Sequence, residues 1–186
     1  MDERAPHGFG RFQGRTAVDR VELGRQHRKL TREEQALMDD REFWALVSLA
    51  RRDPPATDQA AFAPLEAELG RRGEAEIKQF EDILAQLLYD LDRAEFAATP
   101  SAATGLPLSS DSFLYHRAAV VLAGEQAYRS VLEDPEKFDS CIGVGAPEAE
   151  FLLYVAQHAY ESSTGKEWEH VSPVDYETGS NPAGWS

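Results

Sequence analysis

Between residues 74 and 92 the apolar side chains repeat with the period of a helix. Ile77, Phe80, Ile83, Leu84, Leu87, Leu88 and Leu91 share one face, and Lys78, Asp82 and Tyr89 lie opposite. A stripe this wide is stable only when other apolar faces cover it, so the segment demands a bundle of helices around it.

The rest of the chain supplies such faces. Asp39 and Asp40 suit a helix start, and Phe43, Leu46, Val47, Leu49 and Ala50 form one face of a helix over about 41–52, with Trp44 at its flank. Arg51 and Arg52 complement its C-terminal dipole and Pro54-Pro55 stops it. Thr57 or Asp58 caps the next helix, which runs to about Arg71, and Pro64 inside it predicts a kink or a restart. A helix over about 110–122 follows a loop at 100–110, Gly124 bends or ends it, and Glu125 to Glu133 continue until Pro135. Residues 138–147 read as a loop and 147–163 as the last helix, ended by Gly165. Thr31 and Glu34 fit a capping box. No segment alternates as a strand would, so the expected fold is all-α, a compact bundle of five or six helices. The organisation expected is a basic flexible arm over 1–38, a helical domain over 39–170 and a C-terminal tail over 171–186, where Pro173, Gly179, Pro182 and Gly184 fall.

Charge is unevenly placed. Residues 1–32 hold eight Lys/Arg against four Asp/Glu, a net of +4, which leaves 11 against 29, a net of −18, for the remainder of a chain whose total is −14. A body that acidic repels phosphates and anionic membrane surfaces, so nucleic-acid contact is expected only through residues 1–30, and no membrane partner is expected. The N-terminus has no apolar stretch resembling a secretory signal and Cys141 is the only cysteine, so the expected compartment is the reducing cytoplasm.

The sharpest chemical feature is Arg117. On a helix opened by Ser110 or Asp111 as cap, it projects between Phe113 on one side and Leu114 and Val121 on the other. A guanidinium withdrawn from water must find an acceptor. In the plainer reading that is an internal carboxylate, with Asp90, Asp92 and Glu161 as candidates. In the functional reading Arg117 grips an external anion, with Asp111 and His116 nearby. His158 and Glu161 share a helical spacing and form a weak metal-ligand candidate, although di-metal bundles need several such pairs. The acidic pairs Asp90 with Asp92, Glu81 with Asp82 and Glu133 with Asp134 read as solvated helix surface or helix ends. Trp44 and Trp185 are candidates for a partner surface. Phosphate loops, nucleophile elbows and zinc or calcium spacings are missing from the sequence, and no cofactor is expected.

Asp40-Arg41-Glu42-Phe43-Trp44, the helix anchored by Phe80, Ser110-Asp111-Ser112-Phe113 followed by Arg117, and Leu152-Leu153-Tyr154-Val155-Ala156 with Ala159-Tyr160 and Thr164-Gly165 together resemble the bacterial family known as domain of unknown function 4240. The resemblance covers about residues 39–170. Members of that family typically carry a Cys-Ser-Asp-Asp-x-Phe-like turn; here Leu108 stands at the cysteine position and Ser110 at the first aspartate. The resemblance implies a fold unit and a cytoplasmic bacterial setting rather than a reaction. With no catalytic constellation and an acidic body, the expected function is a non-enzymatic accessory module that binds a protein or peptide, basic in character. The alternative is a small-molecule anion-binding or enzymatic site centred on Arg117.

Overall fold

The computed structural model of the chain describes residues 38–50, 59–100, 105–140 and 147–186. Residues 1–37 of the arm, the capping box at Thr31 among them, the Pro54-Pro55 stop, the Thr57 or Asp58 cap and Cys141 lie outside the described residues, whereas Met38, expected in the arm, is buried in the core and donates its amide to Gln79 Oε1 at 2.9 Å. All regular structure among the described residues is helical. Six α-helices have nine residues or more: α1 (Asp40–Ala50), α2 (Ala63–Arg72), α3 (Glu74–Asp90), α5 (Ser110–Leu122), α6 (Glu125–Glu133) and α8 (Val155–Thr164). Two single turns, α4 (Ala94–Ala97) and α7 (Lys137–Ser140), and two 3-10 segments, Gln59–Phe62 and Pro147–Tyr154, join them.

Local chemistry explains the boundaries. Asp39 and Glu42 open α1 as a reciprocal capping box: the Glu42 amide donates to Asp39 Oδ1 at 2.8 Å and the Asp39 amide to Glu42 Oε2 at 3.3 Å. Pro64 sits in the first turn of α2, so the chain restarts there after the 3-10 segment and no helix is kinked. Ser109, not Ser110 or Asp111, caps α5; its hydroxyl accepts from the Ser112 amide at 3.2 Å. The helix expected over 147–163 is 3-10 up to Tyr154 and α only from Val155. Gly165 ends it at φ 68°, a left-handed conformation that costs glycine little.

The α3 stripe meets its partners as its pattern demands. Ile77, Phe80, Leu84, Leu88 and Leu91 are fully enclosed, and Phe80 packs on Phe43 of α1 with ring centroids 4.9 Å apart. The α5 helix runs through the centre, in contact with α1, α3, α6 and the second 3-10 segment, which is why it is apolar on nearly every side. Leu49 departs from expectation: it turns outward and is exposed. The loop expected from residue 138 contains α7, because Phe138 is drawn into the core between Phe96 and Phe113, at 5.3 and 5.7 Å.

Residues 171–186 form no helix, yet they do not trail from the body. They fold back onto α3 and α5 and are held at Asp92 and Arg117 by the bonds described next. Met38–Ser186 therefore pack as one unit.

Candidate functional site

Arg117 and Asp92 are both wholly buried. Arg117 donates to the Leu88 carbonyl at 2.9 Å and to the Thr178 hydroxyl at 3.2 Å, and its guanidinium lies 4.8 Å from the centroid of the Phe113 ring. Asp92 lies 4.0 Å from the nearest guanidinium nitrogen, close enough for attraction but beyond hydrogen-bond reach. Burial draws the guanidinium down to about 10, against the opposing pull of Asp92 and Glu177.

Asp92 takes its hydrogen bonds from the end of the chain. The Gly179 amide donates to its two oxygens at 3.1 and 3.0 Å, the Asn181 amide at 2.9 Å, the Trp185 indole at 3.0 Å and the Ser180 hydroxyl at 3.4 Å. Of the carboxylates weighed for Arg117, Asp92 is the one beside it. Its reading as a solvated helix end is corrected: a carboxylate with no exposure is tolerable here because main-chain donors surround it. The knot fixes Tyr176 and Glu177, which immediately precede the anchored residues.

Those two residues form one wall of a cleft of about 370 Å³. Glu81 of α3 lies on another side, with Asp111, Leu114 and Tyr115 of α5. Leu153 and Tyr154 of the 3-10 segment, Gln157 of α8 and Trp168 complete the lining. All the charged lining residues are carboxylates: Glu81, Asp111 and Glu177. Glu150, outside the lining, accepts from the Tyr154 hydroxyl at 3.2 Å. The cleft is thus negative in charge, with aromatic walls.

Glu81 is the unusual member. Its reading as solvated surface is corrected, since only 7% of the residue is exposed. Burial pushes its carboxyl up to about 7; the nearby His170 and hydrogen bonds from Tyr176 and Ser172 only partly offset this. The Tyr176 bond is long, 3.5 Å. His170 is engaged by Asp82, with Nε2 2.6 Å from Oδ1. Burial and the neighbouring carboxylates also raise Tyr115 and Tyr176, so both stay neutral phenols.

The sequence-derived candidates do not converge. Asp111 lines the cleft. His116 is outside its lining: Nδ1 donates to the Ser112 carbonyl at 2.6 Å and the ring stacks on Phe138. Arg117 is enclosed by its own chain. His158 pairs with Glu66 at 3.0 Å, while Glu161 accepts from Gln157 and from the Trp168 amide; the two do not share a site. No group of three or more metal-ligating side chains forms among the described residues. Trp44 is half-buried against Phe43 and Tyr128. Trp185 is 40% exposed, but its indole is tied to Asp92 and its ring meets Phe113 edge-on.

Glu81 could have been found in the sequence. It follows Ile77 by four residues and precedes Leu84 by three, so it stands in the apolar stripe just as Arg117 does in its own. The aromatic walls left no such signal, because they come from four separate stretches.

Fold and site together define an all-α domain with an acidic, aromatic-walled cleft. The sequence profile of the family described as "Protein of unknown function (DUF4240)" matches residues 38–162, and the chain belongs to that family. No curated protein and no solved structure matches. Trp168, Tyr176 and Glu177 lie beyond the matched stretch, so one wall of the cleft is built outside it. No helix among the described residues is long and apolar enough to cross a membrane.

Proposed function

We propose that this domain is a non-enzymatic binding module of the cytoplasm that takes a basic protein or peptide segment into the cleft beside Glu81. The observation that carries the reading is a cleft whose every charged lining residue is a carboxylate, set in a body of strongly negative charge. Like-charged walls repel anionic substrates and steer cationic partners toward the opening. The volume falls within the range of sites that enclose small ligands or protruding side chains, about 300–1,000 Å³.

The alternative, an anion or enzymatic site centred on Arg117, has less support. Its two Nη atoms are given to Leu88 and Thr178, its Nε is enclosed without a partner, and an outside anion has no exposed face of the group to meet.

Titration of the ¹⁵N-labelled chain with capped peptides of basic, neutral and acidic character tests the proposal. Basic peptides are expected to move the Trp168 indole resonance and leave that of Trp44 in place, with the effect weakening as salt rises. If basic peptides leave Trp168 unmoved, the reading is wrong.

A further inference from the structure

The cleft has a floor as well as a rim. Asp111 and Glu177 are exposed, so water screens their charge, whereas Glu81 lies nine-tenths buried where a charge interacts most strongly. Among the described residues no lysine or arginine pairs with the Glu81 carboxyl. It takes hydrogen bonds only from hydroxyls, that of Tyr176 at 3.5 Å and that of Ser172, while the imidazole of the neighbouring His170 is committed to Asp82. Around it stand Tyr115, Tyr154 and Trp168, whose ring faces attract cations. A buried carboxyl under aromatic walls can accept from one ammonium or guanidinium, and the rings with Leu114 and Leu153 offer apolar surface to the stem that carries it.

We propose that Glu81 anchors a single lysine or arginine side chain of the partner, and that this cation takes the place of a proton on the Glu81 carboxyl. The inference rests on the binding reading above and names its ligand. The exchange balances. The neutral carboxyl loses its proton to the buffer, the carboxylate accepts hydrogen bonds from the arriving cation, and total charge in the cleft is unchanged. The groups facing Glu81 are Asp82 on its own helix, His170, Ser172 and Tyr176 from the segment after α8, and Asp111 and Glu177 across the cleft. His170 is held by Asp82, with Nε2 2.6 Å from Oδ1.

The folded chain holds this carboxyl at about 7. Proton and cation therefore compete near neutrality, and affinity should tighten about tenfold from about pH 6 to about pH 8.

The test is calorimetric titration of the full chain with capped lysine and arginine peptides and, separately, with cadaverine and agmatine as free amines. Each is run in two buffers of different ionisation enthalpy. The expected result is peptide binding accompanied by proton release that is larger at the lower pH. Glu81→Gln should weaken it at least tenfold and abolish the release, while Asp111→Asn weakens it less. Glu81→Asp, which keeps the carboxyl should the glutamine variant fold poorly, should retain proton release. If basic peptides bind and move Trp168 but Glu81→Gln binds as well as the parent with no proton release, the anchor is refuted and the binding reading stands. If the free amines bind as tightly as the peptides, the chain-borne ligand is refuted. If no cation binds, both readings fall.

Discussion

Replacing Asp92 with alanine removes the acceptor of Gly179, Ser180, Asn181 and Trp185 and leaves the buried Arg117 with only the weaker pull of the exposed Glu177. The exposed donors regain water, so their loss is partly made good. The Asn181 amide and the Arg117 guanidinium, both buried, have no such recourse. Breaking a buried charge pair from one side typically costs about 3–5 kcal/mol, and hydrogen bonds to a charged group about 1.5–3 kcal/mol each, but these overlap. The expected loss is therefore about 4 kcal/mol, a large share of the roughly 5–15 kcal/mol of a whole domain. For a chain of this size that lowers Tm by about 8–16 °C. Urea unfolding followed by far-UV circular dichroism gives the free energy, and hydrogen exchange locates it: the amides of Gly179 and Asn181 should lose more protection than those of α3. The double variant Asp92→Ala with Arg117→Met should be more stable than Asp92→Ala alone, because it removes the orphaned charge as well. A loss below about 1 kcal/mol, or a double variant that merely adds the two single losses, refutes the reasoning.

Glu81 gives a prediction of opposite sign. Its folded pKa, about 7, lies above the ordinary carboxylate value of 4.5, so the folded chain holds the extra proton between those limits. Stability contributed by this group is full below about pH 4.5 and is lost as pH rises to about 7, at 1.36 kcal/mol per unit or about 3 kcal/mol in all. Glu81→Gln should flatten that part of the pH–stability profile and make the domain more stable than the parent above neutrality, measured by chemical denaturation across the range. Gly184→Ala should loosen the chain end, since a Cβ there runs into the Asp92 carbonyl and comes within 3.1 Å of Arg93 Cα; near-UV dichroism of Trp185 should report it. Gly165→Ala places a side chain at φ 68° and should cost about 1 kcal/mol in the same denaturation assay, with no change in the cleft.

The helices were legible wherever burial is periodic. The stripe of α3 and the enclosure of Arg117 follow from spacing, and the Pro64 restart was one of two outcomes its position allows. What escaped has a common physical cause. Glu81 is a charged residue in a buried position that its acidic neighbours disguised as surface, and Asp92, weighed as a partner of Arg117, gave no sign of the chain end that surrounds it. The α7 turn exists for one residue, Phe138, too little to make a pattern. The chain end is held by two main-chain amides and by the Thr178, Ser180, Asn181 and Trp185 side chains, dispersed through a segment with no helical or strand period. Proline and glycine there read as a tail, although Gly184 is needed to let the backbone pass close to Asp92.

The knot at Asp92 also sets a schedule. Its donors lie 87 to 93 residues further along the chain. Synthesis at about 5–20 residues per second leaves α3 waiting several seconds for them. Until residues 178–185 have been made, a native core encloses two opposite charges that lack most of their partners, and closing it is unfavourable. Folding is therefore completed after those residues emerge, not helix by helix. A product that stops short of them carries a defect at its centre, where the quality-control machinery of a cell can recognise an unfinished chain by its instability.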